Sequence, residues 1–221
     1  MPSDKEIKEK FRGIATKEPD KHYPIKYLNE LGFARRQCNN CKRHFWTIND
    51  NKNCGDPSCF GGFKFLGKKR NKVLDYIEVW EEFAKIHKSL GYTPVKRYPV
   101  VSRWNPTTDS TIASIAAFQP YVVSGEVDPP ANPLVIPQLC MRFTDIDAVG
   151  LSGHNVLFCM MGEHQFRNPS EYNINQYLKD HLKWLNKGMG IKYEELFIHE
   201  DAWAGGGNLG SAVEFFVDGL E

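Results

Sequence analysis

Four cysteines between residues 38 and 59 have the spacing of a metal site. Cys38 and Cys41 form a C-x2-C pair, and Cys54 and Cys59 form a C-x4-C pair after twelve intervening residues. A tight turn can present two thiolates to one ion, and two such turns supply the tetrahedral sulfur ligands that zinc accepts. Four protein ligands leave no open position for a substrate, so we predict a structural zinc site. The competing interpretation is four unrelated free thiols.

Three further residues have metal-binding or nucleophilic side chains but suit other roles. His44 could replace a cysteine in the metal site, although a surface histidine is the favoured interpretation. Cys140 and Cys159 lie in apolar, strand-like runs, where a free cysteine behaves as a small hydrophobic residue. We therefore predict that both belong to the core.

A glycine-rich loop and one arginine are the candidate ligand-binding features. The loop GGGNLG at 205–210 could offer backbone N–H groups to an anion, and a plain flexible turn is the alternative. Arg142 lies in the apolar run QLCMRFTDI, where strand alternation would point it inward. A buried arginine needs an anionic partner, either a bound phosphate or a carboxylate of Asp145 or Asp147. Trp203, just before the glycines, is a pocket wall or a core residue.

Short strands and a few helices must position these side chains. Residues 1–22 are mostly charged and are expected to be frayed or weakly helical. Helical spacing of apolar residues predicts helices within 23–36, over 73–90 and over 170–187, the last with Ser170 as N-cap. Seven β-prone runs are separated by turn residues: YPVVS, PYVVSG, NPLVI, CMRFTDI, NVLFCMM, ELFIHE and AVEFFVDG. This order lacks regular βαβ units, so the predicted class is α+β with a mainly antiparallel sheet.

The amino-acid composition limits the classes of protein to which this chain could belong. The chain has 221 residues, 41% of them hydrophobic, with 28 basic residues against 27 acidic ones. That balance excludes a protein that grips nucleic acid by bulk positive charge, although a local basic patch remains compatible with it. No apolar run approaches the roughly 20 residues of a membrane helix, and the N-terminus lacks an apolar signal core. We therefore expect a cytoplasmic protein with no membrane partner.

Several long segments carry a family resemblance. They are FARRQCNNCKRHFWTIND with CGDPSC, KRYPVVSRW, TIASIAAFQPYVVSGEV, PPANPLVIPQLCMRFTDIDAVG and WAGGGNLG. Through them the sequence resembles the N-terminal part of alanyl-tRNA synthetases, especially the archaeal type, from about residue 24 to the last residue. The resemblance implies an N-terminal extension with a zinc-binding knob at 1–67. It also implies a partial class II synthetase core at 68–221, with an antiparallel sheet flanked by helices.

The activity that this resemblance implies is ligation of alanine to tRNA(Ala). The enzymes of this family activate alanine with ATP and Mg²⁺ to alanyl-adenylate, and then transfer the alanyl group to the 3′ adenosine of the tRNA. By resemblance, Arg142 contacts the α-phosphate and the alanine carboxylate, and His154 reaches the outer phosphates. Met160 lines the ATP pocket and Phe166 stacks on adenine.

The same resemblance places the alanine pocket beside the glycine loop. Trp203 matches a tryptophan that lines this small pocket, and Gly206, Gly207 and Asn208 match the loop next to it. Glu214 matches an acidic position that holds Mg²⁺ or orders the site. Arg142, His154 and Glu214 are therefore the predicted catalytic residues.

Departures from the family pattern leave the activity open. The loop VGLSGHN lacks the arginine that normally precedes the position of His154, and Cys159 replaces a carboxylate. No segment resembles motif 3, which binds ATP and the amino group of alanine, so we expect a need for that portion or for a second chain that supplies it. The alternatives are a non-catalytic paralogue that binds nucleotide, amino acid, RNA or protein, and an adenylating enzyme with another acceptor.

A basic stretch that is partly on the predicted knob is a further candidate site. It consists of Lys42, Arg43, Lys64, Lys68, Lys69 and Arg70. Such a patch could contact RNA phosphates, and a solvated charged face is the equally weighted alternative.

Overall fold

The computed structural model describes residues 2–62, 64–65, 67–68, 72–150, 153–205 and 208–221. The chain divides into two compact units, one formed by Met1–Asn71 with Ile174–Glu221 and the other by Lys72–Asn173. The predicted domain boundary between residues 67 and 68 stays a prediction. The two units are defined by the packing of residues in space, whereas the predicted domains were defined by resemblance to a family. No helix among the described residues is long and apolar enough to span a bilayer.

The described residues form two sets of elements, α-helices and β-strands, which are interleaved along the chain. The α-helices are α1 (Asp4–Lys17), α2 (Pro19–His22), α3 (Ile25–Glu30), α4 (Pro57–Phe60), α5 (Tyr76–Ser89) and α6 (Ile174–Lys183). The strands are β1 (Ala34–Gln37), β2 (His44–Thr47), β3 (Thr93–Pro94), β4 (Leu134–Met141), β5 (Leu157–His164), β6 (Phe197–Gly205) and β7 (Asn208–Phe216). Both sets together confirm the predicted α+β class.

In the first unit the strands form an antiparallel sheet in the order β1-β2-β6-β7. Side chains alternate between the two faces of a strand, and β6 uses both. Ile198 packs on one face with Trp46 and Leu182, in the main core cluster of this unit. Phe197 packs on the other face with the cysteines of the predicted metal site. The sheet therefore carries its hydrophobic core on one side and the cysteine cluster on the other.

Helix α1 is a regular helix of 14 residues, whereas the sequence predicted a frayed or weakly helical segment, so the frayed alternative is wrong. Ser3 begins the helix with a capping box, in which its side chain accepts from the Glu6 N–H while the Glu6 carboxylate accepts from the Ser3 N–H. Lys8 and Arg12, one turn apart, both bind Asp201 of β6, with a Lys8 Nζ–Asp201 Oδ2 distance of 2.7 Å. Because this helix is polar, tertiary docking rather than local propensity stabilises it.

The second unit contains a sheet in the order β3-β4-β5. β4 and β5 pair antiparallel over their full length, whereas the short β3 pairs parallel to β4. Asp75 begins α5 with a capping box, and the helix buries Phe83 and Ile86. His87 of the same helix lies 3.2 Å from Glu163 of β5, measured from Nε2 to Oε2. Helix α5 begins three residues later than the predicted helix, but it is in the expected place.

Some predicted elements are wrong in extent or in type. The run PYVVSG at 120–125 forms turns, and Val122 and Val123 pack partly buried against the cluster that contains Phe118 without entering a strand. The run YPVVS contributes an isolated bridge, from Val101 to Ser110. The helix predicted from Ser170 begins at Ile174, so Ser170 is not its N-cap. The two apolar runs are rich in β-branched residues, which indicates burial. The residues that pack against such a run decide whether its backbone forms a strand.

Candidate functional site

The four predicted ligand cysteines converge on one point. Their Sγ atoms all lie within 4.8 Å of one another. The Sγ atoms of Cys41 and Cys54 are 3.8 Å apart. Zinc–sulfur bonds of about 2.3 Å in a tetrahedron place the sulfurs roughly 3.8 Å apart, so the cluster fits a zinc ion. Cys41 is exposed and the other three thiols are buried, as in a closed structural site.

Each cysteine pair is held by its own turn. In the first pair, the Cys38 N–H donates to the Arg43 carbonyl at 2.9 Å, and Lys42 takes the left-handed conformation with φ of 62°. In the second pair, Cys59 lies on α4, which Asp56 caps by accepting from the Ser58 N–H at 2.8 Å. These local hydrogen bonds orient the thiols from short-range sequence, which explains why spacing predicts the cluster.

The electrostatics of the cluster suit at least one thiolate. Burial opposes ionisation of Cys38, but backbone N–H groups of residues 40, 41 and 54 lower its pKa to about 7. Burial raises the pKa of Cys54 and of Cys59, so these thiols need a bound cation to ionise. Among the described residues the candidate ligand group contains cysteines only, and His44 does not belong to it.

The predicted alanine-pocket residues belong to the β6–β7 hairpin. Trp203 pairs with Gly210, and its side chain is 47% exposed, so it is a surface aromatic residue and not a core residue. Asn208 pairs with Gly205 at the end of the hairpin. A Cβ atom on Gly205 would lie 3.4 Å from the Trp203 ring, so the missing side chain leaves the ring uncovered. Gly206 and Gly207 lie outside the described residues.

Glu214 has a partner that the sequence did not predict. Its carboxyl group hydrogen-bonds to Asp201 on the neighbouring strand, and burial together with that bond raises the pKa of Glu214 to about 8. Burial opposes ionisation of Asp201, yet hydrogen bonds from Glu214, Lys8, the Ala202 N–H and Arg12 lower its pKa to about 2. Glu214 therefore carries the proton at neutral pH and Asp201 the charge.

Arg142 is exposed, so the expectation that it points inward is wrong. β4 ends at Met141, and the chain leaves the sheet before alternation can bury the next side chain. Within the part of the chain that the structure describes, Arg142 forms no ion pair with Asp145 or Asp147. Its Nε donates to the Ile112 carbonyl at 2.6 Å, and its guanidinium lies 5.1 Å from the centre of the Phe158 ring. These contacts orient the plane of the guanidinium, and its terminal nitrogens bind no carboxylate among the described residues.

Met160 and Phe166 occupy the same compact unit as Arg142. The Met160 sulfur accepts from the Ser114 N–H at 3.3 Å. The ring of Phe166 packs edge-on against Phe118 at 5.3 Å and is half-buried, so part of its surface is accessible for stacking. Asn132 holds the backbone of Phe166 through two hydrogen bonds, of 2.6 and 3.1 Å.

The remaining predicted residues differ in their burial. His154 is exposed in the connection between β4 and β5. Cys140 is buried as predicted, but Cys159 is only half-buried, which corrects its assignment to the core. Trp203 and Arg142 belong to different compact units, so their meeting in one pocket stays a prediction.

Sequence reasoning missed three residues that contact the predicted ones. Asp201 and His199 lie two and four positions before Trp203, so strand alternation from Trp203 would have placed them on its face. Phe158 lies beside Arg142 because β4 and β5 pair in the register Cys140 to Phe158. That register is decided by the tertiary structure, and no local sequence pattern predicts it.

Comparison with known proteins agrees with this arrangement. Residues 78–219 match the family model of class II (A) tRNA synthetases. An alanine–tRNA ligase of Methanocella arvoryzae is 41% identical over 222 residues, which cover 99% of this chain and 25% of that protein. The alanine–tRNA ligase of Nitrosopumilus maritimus is 38% identical over 98% of this chain and 24% of its own length.

A third relative shows the same proportions. The alanine–tRNA ligase of Thermococcus kodakarensis is 41% identical over 88% of this chain and 22% of its own length. The chain thus spans about a quarter of the length of the curated relatives it matches. Because the family model covers residues 78–219, which include all of β3 to β7 and more than half of the chain, the chain belongs to the class II (A) tRNA synthetase family.

Proposed function

We propose that this chain supplies the ATP- and alanine-binding part of an alanine–tRNA ligase. The observation that carries the proposal is the state of Arg142, whose Nε is held at 2.6 Å by the Ile112 carbonyl while the side chain remains exposed. A guanidinium fixed in this way presents a rigid pair of donors to carboxylate or phosphate oxygens. Similarity to alanine–tRNA ligases over 99% of the chain supports alanine as the amino acid.

The proposed first step is attack of the alanine carboxylate on the α-phosphate of ATP. A bond forms between a carboxylate oxygen and the α-phosphorus, the bond to the β-phosphate oxygen breaks, and pyrophosphate leaves. Arg142 contacts both anions and offsets the charge that develops on the phosphate. His154 contacts the outer phosphates, while Phe166 stacks on adenine beside Met160. In the second step the tRNA 3′ hydroxyl attacks the alanyl carbonyl and AMP leaves.

The proposed roles of the hairpin concern alanine. Trp203, with Gly206, Gly207 and Asn208, forms the small pocket for the methyl group, where an exposed ring beside glycines limits the volume. Glu214 orders the hairpin through Asp201. We assign Mg²⁺ to the phosphates of ATP, and zinc to the structural cysteine site.

The partners follow from this assignment. Transfer to tRNA(Ala) and full catalysis require the portion similar to motif 3, supplied by more sequence or by a second chain. The cytoplasm is the expected compartment for such a ligase. RNA contact through the basic stretch is a weaker proposal, since Lys68 is paired with Asp218 and the Lys42 amino group donates to the Asn39 carbonyl at 2.7 Å. Lys69 and Arg70 lie outside the described residues.

A non-catalytic paralogue is the second candidate. Cys159, at a position where the family pattern has a carboxylate, hydrogen-bonds to Tyr76. A thiol supplies neither of the two oxygen acceptors of a carboxylate at this position, and Tyr76 interacts with Arg97 as well. This difference favours a protein that binds ATP or alanine without forming the adenylate.

The test is alanine-dependent exchange of pyrophosphate into ATP. The zinc-loaded chain is assayed by itself and with the remaining segment of the Methanocella arvoryzae ligase. We expect exchange in the mixture, and loss of that exchange in the mixture that contains Arg142→Ala. Binding of ATP without exchange under both conditions would favour the paralogue, and the absence of any ATP or alanine binding would reject both candidates.

A further inference from the structure

A buried histidine joins the cysteine cluster to the β6–β7 hairpin. His199 is 2% exposed, and its Nε2 hydrogen-bonds to the backbone carbonyl of Cys54. A carbonyl can only accept, so Nε2 carries the hydrogen and donates it. This bond connects β6 to a residue whose thiol belongs to the metal site, although the two lie 145 positions apart in the sequence.

Aromatic packing reinforces the same junction. The His199 ring stacks on Phe216 of β7, with centroids 4.2 Å apart and an angle of 24° between the planes. Next to Cys54, a Cβ atom on Gly55 would lie 2.7 Å from the Phe197 ring, so the backbone of the metal-binding turn rests directly on β6. Gly55 also has φ of 81°, which a residue with a side chain rarely adopts. The turn and the hairpin base therefore fit only one arrangement.

The hairpin transmits this junction toward the proposed alanine pocket. His199 pairs directly with Glu214 in the β6–β7 register. Asp201 and Trp203 follow at intervals of two along β6, so their side chains leave the strand on the face of His199. The other face carries Ile198 in the main core cluster, together with Leu178 and Leu182 of α6. The cluster thus supports one face of the hairpin, and α6 supports the other.

We propose that His199 is a positioning residue through which the zinc-binding turn orders the hairpin that carries Trp203 and Asn208. The assignment of Trp203 to an alanine pocket rests on the proposed function, whereas the coupling itself does not. Thiolate ligation fixes Cys54, and the Cys54 carbonyl in turn fixes the imidazole. When the turn is released, a buried N–H donor loses its partner, which is unfavourable in a water-excluded position. The base of the hairpin then opens, although zinc contacts no substrate.

Hydrogen exchange of backbone amides tests the coupling directly. Wild-type chain is compared with zinc and after chelation, following peptides from residues 197–205 and 208–216. We expect at least tenfold faster exchange in both peptides after chelation. Peptides from 174–183 in α6 and from 134–141 in the other unit are the internal controls, and their exchange should change less than twofold.

Two substitutions separate the hydrogen bond from ring packing. His199→Phe keeps an aromatic ring but removes the donor, and His199→Gln keeps a donor of similar reach. With zinc bound, His199→Phe should raise hairpin exchange about tenfold and weaken alanine binding, while His199→Gln should restore most of the protection. Zinc content of each variant is measured in parallel.

The outcomes decide the proposal without reference to catalysis. Unchanged hairpin exchange in zinc-loaded His199→Phe, or exchange changes confined to residues 38–60 after chelation, would overturn it. Equal loss of protection in α6 would also overturn it, since that result indicates general unfolding. Coupled hairpin exchange in a protein that binds no alanine would uphold the positioning role and reject the proposed function instead.

Discussion

Glu214 and Asp201 form a carboxyl–carboxylate pair across the β6–β7 hairpin, in which Glu214 holds the proton. Lys8 and Arg12 of α1 bind the charged member of the pair. The pair therefore combines two properties, a proton that pH can remove and a negative charge that anchors the first helix of the chain.

The pair predicts that the first unit loses stability as pH rises. Unfolded Glu214 ionises near its ordinary value of 4.5, whereas in the folded chain its pKa is about 8. The folded state binds the extra proton between these values, so the contribution of Glu214 to the free energy of unfolding falls as pH rises from about 5 to 8. The slope is at most on the order of 1 kcal/mol per pH unit. Denaturant unfolding at pH 6, 7 and 8 measures it.

Glu214→Gln isolates this contribution. The amide donates to Asp201 without titrating, so we expect stability similar to wild type at pH 6 and a flatter profile up to pH 8. The control is Glu30→Gln at the exposed end of α3, which should keep the wild-type slope. An unchanged slope in Glu214→Gln would show that another group titrates.

The anchoring of α1 gives a second prediction. Arg12→Gln removes a charged donor from Asp201, which is 3% exposed and has little access to water. We expect a loss of roughly 2 kcal/mol of stability and faster proteolysis within residues 4–17. Lys21→Gln breaks an exposed pair with Glu18, which solvent screens, and should change stability far less than Arg12→Gln. Equal effects of the two substitutions would contradict a buried anchor.

Metal content tests the cysteine cluster. We expect one zinc ion per chain, and loss of bound zinc in Cys54→Ser, because a hydroxyl is a poor zinc ligand. Cys159→Ser, outside the cluster, should retain the metal. Elemental analysis after gel filtration measures both. Retained zinc in Cys54→Ser would indicate that a residue outside the four cysteines binds the ion.

Arg142 is the residue on which the proposed chemistry depends most. Arg142→Lys keeps the charge but loses the fixed fork, so pyrophosphate exchange in the reconstituted mixture should fall about 100-fold. Arg103→Lys is the control, since this arginine is also exposed and lies outside the proposed site. An equal decrease in both variants would show that Arg142 has no special role in phosphate binding.

Local sequence was sufficient to predict the metal site. The two cysteine pairs are each oriented by turns of a few residues, so spacing and turn chemistry carry the information. The same holds for α5, whose apolar period and capping residue Asp75 lie within one segment. The family resemblance identified Arg142 and Trp203 from contiguous motifs. Composition and turn residues were sufficient for the α+β class.

Long-range pairing decided the rest. The sequence predicted a frayed or weakly helical segment at residues 1–22 because the anchor Asp201 lies 189 residues beyond Arg12. It predicted that the Arg142 side chain points inward, because the alternation of side chains along a strand does not show where the strand ends. The proton on Glu214 and the donor on His199 depend on which groups meet across strands, and desolvation at those meeting points sets their chemistry. The sequence by itself determined the family and the four-cysteine cluster, since both depend on local order. The tertiary structure decided which of the remaining polar groups are buried, paired or accessible to a ligand.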